Sequence, residues 1–153
     1  MNIFTKLKQK ANLLEQILNQ LASIQTKLIN IQKALGKIES RQLESINKLE
    51  LKDNEFQVFS QWGEDGIIQM LLRHIEIPNK IFIEFGVENY TESNTRFLLI
   101  KNNWAGLVID GSPEHINYIK NDSIYWQHNL KAVQAFIDKD NINRLISENG
   151  IKG

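Results

Sequence analysis

Apolar side chains in the first fifty residues recur at alternating spacings of three and four. Leucine occupies one position of a seven-residue repeat and isoleucine the position three residues later, at Leu14, Leu21, Leu28, Leu35 and at Ile17, Ile24, Ile31, Ile38. Glutamine, asparagine and lysine fill most of the other positions. This pattern is typical of a coiled coil, in which leucine takes position a and isoleucine position d. We therefore predict a coiled-coil helix over residues 1–51.

A lone helix of this kind leaves its apolar seam in water, so we expect the seam to be buried against other copies of the chain. Leucine at a with isoleucine at d favours three or four strands over two when the strands are parallel. Gln42 and Ser45 interrupt the seam, and Ile46 and Leu49 resume it after a four-residue stutter. The expectation is a homo-oligomer through residues 7–49. The alternative is an amphipathic helix that packs on the rest of its own chain.

A different pattern begins after residue 53. Short apolar runs typical of buried strands alternate with segments whose apolar residues recur at helical spacing. Carboxylates suit the first turn of a helix, and serine followed by proline suits its start. The predicted order is a helix from Glu64 that ends at Pro78, a strand at 80–87, a helix capped by Thr91 or Ser93, a strand at 106–110, a helix from Ser112, a strand at 123–126 and a helix at 141–149.

Alternating helices and strands predict the fold class. They favour an α/β fold with a partial Rossmann-like parallel sheet, in which three strands have flanking helices and the long coiled-coil helix precedes them. The second unit would cover residues 56–153. The three tryptophans, Trp62, Trp104 and Trp126, are expected in its core.

Composition excludes several classes of function. Lysine plus arginine and aspartate plus glutamate both number 18, so no basic excess indicates a nucleic-acid partner. The chain has no cysteine, which excludes disulfides and thiolate metal sites and fits a cytoplasmic location. His74, His115 and His128 do not share metal-ligand spacing, so no metal site is expected. No apolar run is long enough for a transmembrane segment.

Candidate binding residues follow from the strand ends, because ligands of open parallel sheets bind outside the carboxyl ends of the strands. An acid at the tip of the second predicted strand, Asp110, is placed to accept hydrogen bonds from the ribose hydroxyls of a nucleoside. The candidates are Glu84, Gly86, Glu88 and Asn89 after the first strand, Asp110, Gly111 and Ser112 after the second, and Gln127 and His128 after the third.

The loop after the first strand bears on which nucleoside this is. A dinucleotide pyrophosphate needs a second glycine where Glu88 stands, and a carboxylate there would repel it. S-adenosylmethionine has no phosphate and carries a sulfonium and an ammonium, which carboxylates attract. On spacing alone another interpretation stays open: Gly86 only turns a strand and Asp110 only caps a helix.

Four stretches of residues 56–150 resemble FkbM-type methyltransferases, class I enzymes that depend on S-adenosylmethionine. They are FSQWGEDGIIQMLL (59–72), IFIEFGVENYTESNTRFLL (81–99), GLVIDGSPEHI (106–116) and DKDNINRLI (138–146). The resemblance implies methyl transfer to an oxygen, often of a sugar, in glycan biosynthesis. The cofactor contacts that it implies are Glu84 and Gly86 along the cofactor, Asp110 at the ribose, Gln61 and Glu64 near the amino-acid end, and Gln127 and His128 beside the adenine.

The chain departs from that family in two places. The family continues beyond the position of Gly150 into further strands, whereas this sequence stops at Gly153. The heptad helix is an addition to the family's core. We therefore expect the chain by itself to be unstable or inactive as an enzyme. The second hypothesis is a scaffold whose working part is the coiled coil, and the third is a dinucleotide-binding oxidoreductase, which Glu88 disfavours.

Overall fold

The computed structural model describes residues 3–46 and 48–151. One long helix is followed by a mixed α/β unit. The chain divides into two compact units, and the boundary between them lies between Ile38 and Glu39. The elements in chain order are α1 (Ile3–Ile46), a 3-10 turn (Leu51–Asp53), α2 (Glu64–His74), β1 (Ile81–Phe85), α3 (Arg96–Asn102), β2 (Ala105–Asp110), α4 (Pro113–Asn121), α5 (Ser123–Gln127), β3 (Leu130–Gln134) and α6 (Ile142–Glu148).

The predicted N-terminal helix is present as α1, which has 44 residues and a length of about 66 Å. It ends at Ile46, so Leu49 lies beyond it and the prediction that the seam resumes there was wrong. The start of the predicted helix, Met1 and Asn2, lies outside the described residues, as does Asn47. The eight seam side chains at positions a and d are 44–60% exposed.

No helix within the described residues is both long enough and apolar enough to cross a bilayer.

The three strands form one parallel sheet in the order β1-β2-β3. Phe85 pairs with Ile109, and Asp110 pairs with Gln134, so the three carboxyl ends share one edge. We call this the carboxyl edge. Because successive residues of a strand point to opposite faces, each strand divides its side chains between two layers of helices.

Each face of the sheet carries its own apolar cluster. On one face Phe82, Val108, Leu130 and Ala132 pack with residues of α3, α4 and α5. On the other face Leu107 and Ile109 pack with Leu145 of α6. Glu84 and Asp110 belong to the strand positions that alternate onto the first face. The sheet therefore brings these two carboxylates to the same side of the same edge.

The third strand lies elsewhere than predicted. Residues 123–126 form most of α5, and Asp122 caps this helix by accepting a hydrogen bond from the Ile124 amide at 3.1 Å. The strand is Leu130–Gln134, whose intrinsic strand preference is low. Its inward positions, Leu130 and Ala132, are buried, and pairing with β2 decides its conformation. Tertiary packing overrides local propensity here.

The start of α3 also differs from the prediction. This helix begins at Arg96 with Thr95 as N-cap, so neither Thr91 nor Ser93 caps it. The cap of α4 was predicted correctly, because the Ser112 hydroxyl accepts a hydrogen bond from the His115 amide and Pro113 is the first helical residue.

The corrected third strand can be tested by changing neighbouring residues of β3. Ala132 is buried, so Ala132→Lys should lower the free energy of unfolding by roughly 3 kcal/mol or more, because an unpaired ammonium would enter the core. Lys131 is exposed and its Nζ donates a hydrogen bond to the Asn149 carbonyl at 2.6 Å, so the control Lys131→Gln should change stability by about 1 kcal/mol or less. Urea unfolding followed by tryptophan fluorescence measures both. Equal effects of the two substitutions would contradict this strand.

Candidate functional site

Asp110 ends β2 and links the two loops that follow β1 and β2. Its Oδ2 accepts a hydrogen bond from the Glu88 amide at 2.9 Å, and its Oδ1 accepts one from the Ser112 amide at 2.9 Å. His115 Nδ1 lies 3.0 Å from Oδ1. The residue is only 9% exposed. Since a carboxylate offers about four acceptor positions, these contacts leave roughly one for a ligand.

The same contacts determine the charge of Asp110. Burial by itself raises the pKa of this carboxyl, but the hydrogen bonds from the Ser112 amide, His115 and the Glu88 amide outweigh it and hold the pKa below its ordinary value. Asp110 is therefore a fixed negative charge at neutral pH.

The loop after β1 has an unusual backbone. Gly86, Glu88 and Tyr90 all have positive φ angles, of 69°, 50° and 63°. For the two residues with side chains this conformation costs about 1–2 kcal/mol each. The loop is held by the bond from the Glu88 amide to Asp110 and by the buried Tyr90, whose hydroxyl lies 2.9 Å from the Thr95 hydroxyl.

Arg96, the first residue of α3, also stabilises the loop after β1. Its Nη1 donates a hydrogen bond to the Tyr90 carbonyl at 2.7 Å, and its Nη2 forms an ion pair with Asp122 at 3.0 Å. Its guanidinium also lies over the rings of Phe59 and Tyr90, 5.2 and 5.7 Å from their centroids. One cation therefore joins three segments of the chain.

Glu84 lies on β1 and binds the start of α3. Its carboxylate accepts hydrogen bonds from the amides of Asn94 and Thr95, at 3.0 and 3.1 Å, and from the Thr95 hydroxyl. The positive end of a helix dipole favours a carboxylate in this place. Glu84 therefore has a structural function in addition to its place at the site.

The loop before α2 is organised by Asp65, which the sequence did not identify as important. Asp65 is 1% exposed, and its Oδ2 accepts hydrogen bonds from the amides of Val58, Phe59 and Ser60 at 2.7–2.8 Å. The Ser93 amide donates to the Phe59 carbonyl at 3.0 Å, which ties this loop to the one after β1. Gln61 is thereby held at the carboxyl edge.

An open cavity of about 500 Å³ lies between these two loops. Three of its residues are carboxylates, Glu84, Glu88 and Glu92, and none of its residues is a lysine, arginine or histidine. A Cβ added to Gly86 would meet nothing within 4 Å, so the space beyond this glycine is free. The complete lining is Gln61, Glu84, Gly86, Val87, Glu88, Asn89, Thr91, Glu92, Ser93 and Asn94. We call it the acidic cavity.

An aromatic ring adjoins Gly111 at the carboxyl edge. Phe136 follows β3, is 82% exposed, and lies so close that a Cβ on Gly111 would come within 2.4 Å of its ring. The Gln134 side chain donates to the Gly111 carbonyl at 3.4 Å. Phe136 was not among the predicted site residues, because the third strand had been predicted at 123–126 and lies at Leu130–Gln134.

Most predicted site residues lie together at the carboxyl edge, whereas Gln127 and His128 lie elsewhere and Glu64 lies outside the cavity lining. Five of the predicted site residues line the acidic cavity: Gln61, Glu84, Gly86, Glu88 and Asn89. Asp110, Gly111 and Ser112 lie beside it, since Asp110 is bonded to Glu88. Glu64 accepts a hydrogen bond from the Trp62 amide in the first turn of α2 and does not line the cavity.

Gln127 and His128 were placed wrongly. They precede β3 instead of following the third strand, and the neighbouring Asn129 carbonyl accepts a hydrogen bond from the amide of Gly106, near the start of β2. They therefore lie at the amino ends of the strands, opposite the acidic cavity.

The fixed charge of Asp110 predicts a pH dependence of stability. Its folded pKa is depressed, so its contribution is complete above the unfolded pKa of about 3.9 and is lost as the pH falls through the folded pKa. Asp110→Asn should cost about 1–3 kcal/mol at pH 7, and this difference from the wild type should shrink at acid pH. Denaturant unfolding from pH 7 down to about pH 2 measures it, because the folded pKa lies below the ordinary value of an aspartate.

The matched control is Asp140→Asn, which removes an exposed carboxylate and leaves the Asp110 contacts in place. A difference between wild type and Asp110→Asn that stays constant over the whole pH range would refute this account of Asp110.

No protein-family model, curated protein or solved structure matches this chain. The resemblance to methyltransferases therefore stays a prediction.

Proposed function

We propose that residues 56–153 belong to a Rossmann-like S-adenosylmethionine-dependent methyltransferase domain, whose reaction transfers a methyl group to an oxygen of a sugar or another small acceptor in glycan biosynthesis. The observation that carries the proposal is the acidic cavity beside Asp110. It combines an acidic lining, no basic side chain and a free approach past Gly86 at the carboxyl edge of a parallel sheet.

The charges of the acidic cavity favour this cofactor over a phosphate-bearing one. When bound, S-adenosylmethionine supplies an electrophilic methyl group on a sulfonium, and its ammonium is a second cation. Glu88 and Glu92 can attract both, whereas they would repel a pyrophosphate. The neutral side chains of Gln61 and Asn94 can donate hydrogen bonds to the carboxylate of the cofactor.

The nucleoside part of the cofactor would lie beside Asp110 and Gly111, next to the acidic cavity. Asp110 keeps about one acceptor position for a ribose hydroxyl. The exposed ring of Phe136, next to Gly111, can stack on a planar base. In this proposal Phe136 replaces Gln127 and His128 as the neighbour of the adenine.

The exposed seam of α1 favours a second function. A helix with this stripe is suited to self-association, so we propose that the chain also forms a homo-oligomer through this helix. We place the chain in the cytoplasm, because a protein without cysteine needs no oxidising compartment to form disulfides. In the alternative scaffold hypothesis this is the chain's only function. An oxidoreductase binding a dinucleotide is disfavoured by Glu88 on the wall of the cavity.

Ligand-detected NMR on the 1–153 chain tests the cofactor proposal. S-adenosylmethionine should bind more tightly than S-adenosylhomocysteine, which lacks the sulfonium charge, and NAD should bind least. Each exposed carboxylate should contribute about 1 kcal/mol, or about fivefold in Kd, so Glu88→Gln and Glu92→Gln should each reduce the preference for the sulfonium. Asp110→Ala should weaken the binding of both S-adenosylmethionine and S-adenosylhomocysteine.

Asp140→Asn is the control and should leave binding unchanged. An enzyme-type site predicts these losses with an unaltered oligomeric state. The methyltransferase proposal would be wrong if the folded chain bound NAD as tightly as S-adenosylmethionine, or if none of the three substitutions changed the Kd. The scaffold hypothesis would then be favoured.

A further inference from the structure

The seam of α1 forms a continuous apolar surface of limited length. Its side chains are about half exposed from the first to the last: Leu14, Ile17, Leu21, Ile24, Leu28, Ile31, Leu35 and Ile38. Before it, Lys10 occupies position d, and after it Gln42 and Ser45 occupy a and d. Because α1 ends at Ile46, the seam does not resume. The uninterrupted apolar seam therefore covers residues 14–38.

We infer that residues 14–38 form a parallel, in-register bundle of more than two copies of this chain. This rests on the self-association part of the proposed function and is independent of the methyltransferase part. The first argument is the composition of the seam. Leucine at every a position and isoleucine at every d position makes each layer self-complementary in a parallel register, and this combination disfavours two strands.

Two further leucines flank the seam and give the second argument. Leu13 stands at position g and Leu18 at position e, and both are 56% exposed. In a parallel, in-register bundle, position g of one helix lies beside position e of the next heptad on its neighbour, so Leu13 meets Leu18. Apolar residues at g and e widen the buried face, which suits more than two strands.

An antiparallel arrangement pairs these leucines poorly. Matching the seam end to end in opposite directions brings g beside g and e beside e. Leu13 would then lie near Arg41, and Leu18 would lie near Gln32. The parallel arrangement also stacks the polar residues Gln42 and Ser45 on their own copies, where they mark the end of the bundle.

Light scattering after size-exclusion chromatography tests the number of copies. The 1–153 chain at about 100 µM should have three or four times the 17.8 kDa mass of one chain. Ile24→Lys puts an ammonium into the seam and should reduce the mass to that of one chain. Ser23→Lys adds the same charge at the exposed position c and should leave the mass unchanged. A mass of one or two chains for the wild type overturns the inference.

Cysteine cross-linking tests the orientation, since the natural chain has no cysteine. Leu14→Cys should oxidise to a disulfide-linked pair, because identical a positions adjoin in a parallel, in-register bundle. Equimolar Leu14→Cys and Ile38→Cys chains should give no mixed disulfide. Mixed disulfides at an oligomeric mass would overturn the parallel arrangement while self-association stands, and a wild-type mass of one chain would end both. Neither result bears on cofactor binding.

Discussion

The candidate site depends on one carboxylate, that of Asp110. The sheet places it at the carboxyl edge, where it accepts hydrogen bonds from the amides of Glu88 and Ser112 and contacts His115. These bonds stabilise the loop after β1 in a backbone conformation that would otherwise be unfavourable at Glu88 and Tyr90. Without this anchor the acidic cavity would lose one of its walls.

Carboxylates that accept hydrogen bonds from backbone amides occur three times around the carboxyl edge. Asp65, Glu84 and Asp110 each collect two or more backbone amides. Amides that surround a carboxylate compensate its charge and fix the loops to which they belong. Glu88 and Glu92 bind no cationic partner in the lining of the cavity, so they supply the negative field that a ligand would meet.

Some of this could be predicted from the sequence. The runs around β1 and β2 are apolar and long enough to identify, and their tips locate Glu84 and Asp110 at one edge. The strand β3 could not be identified, because LKAVQ owes its conformation to its neighbour β2. The errors at Gln127 and His128 and the omission of Phe136 all follow from that strand.

Other features depend on contacts between distant segments, which no local pattern shows. Asp65 looks like any acid in a first helical turn, yet it organises the loop that carries Gln61. Trp104 is buried as expected, whereas Trp62 and Trp126 are 78% and 75% exposed, so the expectation that these two belong to the core was wrong. The end of α1 before Leu49 likewise required the structure.

Hydrogen exchange at single amides tests the role of Asp110 most directly. In the wild type the amides of Glu88 and Ser112 should be protected by their bonds to this carboxylate. In Asp110→Ala both should exchange at least tenfold faster, while the Val108 amide, inside the sheet, keeps its protection. Equal exchange of Glu88 and Ser112 in the two proteins would contradict the account.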